Sequence, residues 1–478
     1  MNSGLVGRIT MSNQYDAIVI GSGIGGGAIG ALLAHAGWNV LLLERNKHVG
    51  GRCISYERNG VMMDLGWHFY CLGKVGPLQE VCNRVDMPDA IPWNDLNGTS
   101  YIQVGSDQQK YTKQSMYNFV SEAERDNFKR LFSSVFTMTD EELDKLWYVP
   151  VKDWVQSYTY DPMAYTLIES FAAQYFCVSA DVASCAEFIL AFRAVMSSRA
   201  TAYPSGGNFS VALAYIDAVK KYNGTVKTET PVKEIIVENG AAVGVITEAG
   251  EEFRAPVIIS NADLKLTVQG LVGEEHFPKE YVDRVNELTY SSHGVMLRVL
   301  LSEKITDKQV VIYIPDDKSP PCKVTDEMLE GKVPHLIGGC FGSPSNFDPN
   351  LAPPGKQMIT SLHACPPDIR ANMDEWRESL MRSFYEVYPE AHGKVEKVWV
   401  DPPSLVRGMA GETGCIIGIG QTIDQVHEKR PSQISPLKGL YFSSSEAGGN
   451  GIGTELAATS AIGLFEAIAP QKDALLAG

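Results

Sequence analysis

The sequence predicts an α/β protein organised on a dinucleotide-binding βαβ unit, and three observations predict it. The stretch "YDAIVIGSGIGGGAIGALLAHAGWNVLLLERNKHVGGR" (residues 15–52) sets an apolar strand, a glycine cluster, an apolar helix and a second strand in series. The stretch "PLKGLYFSSSEAGGNGIGTELAATSAIGLFEAI" (residues 436–468) repeats the order strand, glycine loop, helix. Between them, "YPSGGNFSVALAYIDAVKKYNGTVKTETPVKEIIVENGAAVGVITEAGEEFRAPVIISNAD" (residues 203–263) reads as turn, amphipathic helix, hairpins with Asn-Gly and Ala-Gly turns, and a last apolar strand.

The first block carries the most chemistry. Gly21-x-Gly23-x-x-Gly26 directly follows the strand "AIVI" and opens a helix, as a dinucleotide fingerprint requires. Gly21 makes the tight turn, Gly23 clears the path of a pyrophosphate, and Gly26 lets helix and strand pack closely. Gly25 and Gly27 extend the cluster. The helix N-terminus offers free N–H groups and the positive end of its dipole to phosphate. Glu44 ends the second strand, where a carboxylate accepts from ribose hydroxyls and repels a 2′-phosphate. Arg45 follows it at the same edge.

Composition narrows the class. The 478 residues are 44% hydrophobic and 21% charged, ordinary for a globular chain of two or three structural units. Lys and Arg number 41 against 57 Asp and Glu, a net charge of −16. That balance excludes a basic nucleic-acid-binding surface. Nine cysteines show neither CxxC nor zinc spacing and read as free thiols of a reducing compartment. No apolar run reaches spanning length, and "MNSGLVGRITMSNQ" (residues 1–14) lacks a signal-peptide core. The expectation is a cytoplasmic protein, with peripheral membrane contact still allowed and the oligomeric state unassigned.

Gly50, Gly51 and Arg52 then make a second glycine turn bearing a guanidinium. A nicotinamide enzyme has no particular need of it; an enzyme that buries an extended FAD does. With this turn the chain resembles the phytoene desaturase, carotenoid isomerase and retinol saturase-like branch of the FAD-dependent flavin amine oxidase superfamily. The P-x-G-G, helix, N-G-T-V and VIISNAD pattern of residues 203–263 resembles the desaturase side in particular.

The resemblance implies FAD and assigns residues. Arg52 lies near the pyrophosphate and flavin, Val232 contacts adenine through its backbone, and Glu446 bonds the ribitol. Gly451, Ile452 and Gly453 present backbone N–H groups and a helix dipole to the flavin pyrimidine ring. It also implies a discontinuous FAD-binding domain over residues 14–75, 200–284 and 430–470. A helix-rich insert covers 76–199 and a mixed-sheet substrate domain covers 285–429. Within the insert, Thr139 and Glu142 suggest a capping box. Gly418-Ile419-Gly420 has no helix after it, so no second dinucleotide domain is expected and the electron acceptor or donor is left open. The C-terminal loop "SSSEAGGNGIG" departs from the Thr-His-Pro loop usual in phytoene desaturases.

Candidate catalytic residues lie in "DLGWHFY" (residues 64–70), where Asp64-x-Gly66 leads into the flavin cavity by the resemblance. His68 could transfer protons near neutral pH, or be a hydrogen-bonded core histidine. Tyr70 is the second catalytic candidate, or a cavity-wall aromatic. Phe171, Gln174, Tyr175 and Phe176 form a stripe that reads as core; His293 and Glu412 read as ordinary polar positions. The implied activity is oxidoreduction at C–C or C=C bonds of a hydrophobic, unsaturated substrate. The alternatives are a redox-neutral isomerase or hydratase, an amine oxidase, and a non-catalytic FAD- or lipid-binding protein.

Overall fold

The computed structural model describes residues 15–317, 323–411 and 413–477; Glu412 and the first fourteen residues lie outside them. A five-stranded parallel sheet forms the centre of the cofactor side. It is built from β1 (Ala17–Ile20), β2 (Val40–Leu43), β3 (Thr225–Lys227), β4 (Val257–Ser260) and β5 (Leu440–Phe442), in the order β5-β4-β1-β2-β3. Every residue of β1, β2 and β4 is buried, which is why these segments read as unbroken apolar runs. Helix α1 (Ile24–His35) packs between α2 (Phe209–Lys221) and α3 (Gly453–Ile468). Three distant segments of chain thus build one sheet and its helical cover.

Beside it, Val232–Glu238, Ala241–Thr247 and Glu252–Arg254 form an antiparallel three-stranded sheet. Asn239 and Gly240 turn its first hairpin with φ of 50° and 75°, the pair of positive angles that an Asn-Gly turn supplies.

A seven-stranded sheet walls the other side. His293–Leu301 lies between Val395–Asp401 and Gln357–Cys365, followed by Gly339–Gly342, Val310–Ile314, Ser100–Val104 and Asp107–Lys110. The last two strands come from residues 76–199, read from the sequence as helix-rich. Ser100–Val104 pairs in parallel with Val310–Ile314, so a hairpin from that region completes a sheet whose other strands come much later. From Lys113 to Ser198 the insert is helical, with the Thr139–Glu142 capping box formed. Among the described residues no helix is long and apolar enough to cross a membrane.

Candidate active site

One cavity of about 1280 Å³ runs through the molecule, more than the roughly 300–1,000 Å³ of a single small-molecule site. Gly21, Gly23, Gly25, Glu44, Arg45, Gly51, Arg52, Val232, Glu446, Ile452, Gly453 and His68 all line it. Residues from four separated segments therefore meet in one space.

The glycines of α1 are required by close approach. A Cβ at Gly23 would stand 2.6 Å from Asn261 Oδ1, and one at Gly25 would stand 2.9 Å from Asn261 Nδ2 and collide with the Ser443 carbonyl. Gly26 does not line the cavity; a side chain there would meet the carbonyl oxygen of Gly21, so it serves the packing role expected of the third fingerprint glycine. The Asn261 side chain ties these pieces together, donating to Ser443 O at 2.6 Å.

Glu44 is buried at 5% exposure. Its Oε2 accepts from Ser22 N at 3.0 Å and Ser22 Oγ at 2.5 Å, and its Oε1 accepts from Asn46 N at 2.8 Å. The carboxylate is thus fixed at the cavity edge by the glycine turn itself.

Two helices begin in the cavity wall. Neither α1, whose N-cap is Gly23, nor α3, whose N-cap is Ile452, has a side-chain cap, so both positive dipole ends meet the cavity with uncapped N–H groups. Arg52 Nε and Asp263 Oδ2 are buried without a hydrogen-bond partner among the described residues. Glu446 Oε2 accepts from Leu264 N at 2.8 Å. Burial, with Asp263 adding to it, pushes the Glu446 carboxyl up to about 7, against the pull of Arg52. Side-chain-free turns, uncapped helix ends, an acid at the cavity edge and a guanidinium whose buried Nε lacks a partner are what a flavin dinucleotide would satisfy, and the residues fit FAD.

Three of the residues named from the sequence have surroundings that differ from expectation. Gly451 does not line the cavity: its N–H donates to Glu187 Oε1 at 3.4 Å and its carbonyl accepts from Gln421 Nε2 at 2.8 Å. The N-terminal turn of α3 is therefore offered from Ile452 onward. Tyr70 is buried in the core at 1% exposure, its hydroxyl donating to Asn208 Oδ1 at 3.1 Å, and it does not line the cavity. His68 does line the cavity, 3.4 Å from the Arg52 carbonyl oxygen, but burial lowers its pKa to about 4. It is neutral across the physiological range, not titrating near neutrality as the sequence suggested.

Beyond the glycine turns the cavity becomes apolar, walled by Phe132, Phe171, Tyr175, Met296, Ile312 and Leu362. Phe171, Gln174 and Tyr175, read as core from sequence, face this space; Phe176 is fully buried and does not line it. Glu455, unremarked in sequence, lies in the first turn of α3 and also lines the cavity. Its Oε1 accepts from Leu72 N at 2.8 Å, and burial raises its pKa to about 8. One signal marks it: it is the only charged residue of "GTELAATSAIGLF".

The comparisons agree with this geometry. Residues 19–85 match the model of the NAD(P)-binding Rossmann-like domain. All-trans-retinol 13,14-reductase of Rattus norvegicus is 24% identical over 91% of this chain and 82% of its own length. The zeta-carotene-forming phytoene desaturase of Myxococcus xanthus is 23% identical over 92% of this chain and 91% of its own. Chloroplastic prolycopene isomerase of Daucus carota is 28% identical over 73% of this chain and 61% of its own. A solved oxidoreductase from Methanosarcina mazei, 20% identical, superposes with a TM-score of 0.73 over 94% of this chain and 99% of its own. The chain is an FAD-dependent enzyme similar to the retinol 13,14-reductases, phytoene desaturases and prolycopene isomerases.

Proposed function

We propose that this chain is an oxidoreductase acting on C–C or C=C bonds of a conjugated, hydrophobic terpenoid substrate such as a retinoid or carotenoid. The observation that carries the reading is the continuity of the cavity: its glycine-lined end passes without a break into its aromatic end. The relatives named for retinol, phytoene and prolycopene support the substrate class.

In this reading Glu44 takes the ribose, the two uncapped helix ends take the pyrophosphate and the flavin edge, and Glu446 takes the ribitol. FAD bound there supplies hydride transfer to or from carbon. Arg52, with its unpaired Nε, lays a fixed positive charge beside it, of the kind that stabilises developing negative charge. The apolar wall excludes water from the reacting carbons. His68, held neutral, accepts or donates a single proton from a ring nitrogen. A redox-neutral isomerase is the second reading, favoured by the likeness to a prolycopene isomerase.

Anaerobic mixing of the yellow holoenzyme with all-trans-retinol, phytoene and prolycopene tests both. Bleaching of the flavin, or of dithionite-reduced flavin back to yellow, with matching product supports oxidoreduction. Product without a net change of flavin state supports the isomerase. Absence of product from all three in every flavin state removes the proposed substrate class.

A further inference from the structure

The cavity holds an acidic group that neither the sequence motifs nor the comparisons assign. Glu455 is 2% exposed and lines the space between the α3 N-terminus and the aromatic wall. Most buried side-chain polar atoms have a hydrogen-bond partner. Here Oε1 accepts from Leu72 N, and Oε2 is buried with no partner among the described residues.

Glu455 is also the third residue of its helix, where a glutamate commonly reaches back to the N-cap backbone. Its one hydrogen bond goes instead to a residue nearly 400 positions earlier. The capping role is therefore declined, and the side chain is held toward the cavity.

We propose that Glu455 is a second proton donor and acceptor of this cavity besides His68, acting directly on an sp² carbon of the bound polyene. In the forward step its O–H bond breaks and the proton joins one carbon of a C=C pair, taking that pair's π electrons. The positive charge falls on the neighbouring carbon and spreads along the remaining conjugation. In the return step a C–H bond of the cation breaks, its electrons restore a C=C pair, and the proton returns to the carboxylate. No electrons enter or leave, so the net result is hydrogen exchange or a moved double bond. Were FAD bound beside it, the hydride that reduced flavin would supply and this proton would together amount to a saturation.

The surroundings suit both states of the group. Burial favours the neutral acid that can give a proton. The Leu72 N–H and the positive end of α3 stabilise the carboxylate left behind. Phe171 and Tyr175, with ring centroids 6.3 Å apart, line the same cavity and are of the residue type that attracts a cation. The titratable neighbours are Cys71 and Tyr175, both held neutral by burial, so no nearby base competes for the proton.

The inference rests on the reading of the cavity as a site for unsaturated substrate, and the test separates the two. All-trans-retinol and prolycopene are incubated anaerobically in D₂O with the wild-type, Glu455→Gln and Glu455→Asp holoenzymes, and carbon-bound deuterium is read by mass spectrometry. The expected result is uptake by the wild type and a fall of roughly 10²–10⁴-fold in Glu455→Gln, with flavin content kept and the melting temperature not lowered. Glu455→Asp, which retains an acid, should recover part of the exchange. Uptake by Glu455→Gln at the wild-type rate overturns the proposal.

If the wild type neither exchanges nor converts either polyene, the substrate reading fails, and infrared difference spectra of the holoenzymes decide the role of Glu455. A protonated-carboxyl band that is absent from Glu455→Gln and shifts when retinol is added supports it. A spectrum without that shift overturns it.

Discussion

Gly25→Ala is the sharpest perturbation of the cofactor cradle. The added methyl would press on the Ser443 carbonyl at the end of β5 and stand 2.9 Å from Asn261 Nδ2, just beyond β4. Neither is the free end of a flexible chain, because Asn261 Nδ2 donates to that same carbonyl at 2.6 Å and Ser443 Oγ donates to Gly25 O at 2.9 Å. Relief requires α1 and β5 to part, breaking both bonds at about 1 kcal/mol each. Overpacking adds about 1–3 kcal/mol, for roughly 3–5 kcal/mol in total. Unfolding entropy scales to about 1 kcal/mol/K for a chain of 478 residues. The melting temperature should therefore fall by about 3–5 °C, and flavin should be lost on desalting because the helix end moves away. Gly37→Ala is the control, with φ +78° and nothing within 4 Å of the added Cβ. Its cost is the left-handed backbone alone, about 1–2 kcal/mol, and it should keep its flavin. Calorimetry and the flavin-to-protein absorbance ratio measure both. If Gly25→Ala melts with Gly37→Ala and stays fully yellow, the close-approach argument is wrong.

Glu44→Arg removes the acceptor of Ser22 N, Ser22 Oγ and Asn46 N and puts a bulkier cation at the ribose edge; FAD affinity should fall at least tenfold, since one charge-assisted bond is worth about 1.5–3 kcal/mol. Unchanged affinity by fluorescence titration would separate Glu44 from the ribose. His68→Ala should retain flavin and fold while turnover drops roughly 10²–10⁴-fold if the ring carries a proton; with its pKa near 4, no limb of the wild-type pH–rate profile near 6.5 should belong to it. A full-rate, flavin-loaded variant would remove His68 from the chemistry. Glu455 has a folded pKa of about 8, raised from 4.5, so between those values the folded state binds more protons than the unfolded one and stability falls as pH rises. At about 1.4 kcal/mol per pKa unit, this loss reaches a few kcal/mol by pH 8. Glu455→Gln should flatten that decline in denaturant melts, and an equally steep decline in the variant would place the carboxyl elsewhere than in a buried setting.

The parts of the molecule legible in the sequence are those whose cause is local. Strands β1, β2 and β4 are buried on both faces and read as apolar runs; the Thr139–Glu142 box and the Asn239-Gly240 turn need only neighbours a few residues away. The fingerprint glycines and Glu44 were legible because turn, helix and acid fall in one βαβ unit. What sequence reasoning missed depends on distant partners. The Ser100–Val104 hairpin shows its place only beside Val310–Ile314. Tyr70 and Gly451 sit within the right motifs, yet Asn208 and the Glu187–Gln421 pair hold them away from the cavity. The pKa values of His68 and Glu455 are set by burial, which a linear motif does not report.

The order of the central sheet bears on how the protein is made. Its edge strand β5 is the last to leave the ribosome, yet β5 supplies Ser443, and the loop after it supplies Glu446 and the start of α3. Until Leu440–Phe442 pairs with Val257–Ser260, the nascent chain has its fingerprint glycines but no second wall to close a dinucleotide against them. Flavin capture is thus tied to synthesis of β5 and the loop after it, and a chain arrested before Leu440 would carry the whole of the N-terminal motif while remaining colourless. Yellow colour then reports molecules in which β5 has closed on β4, which makes it a direct measure of folding yield during expression.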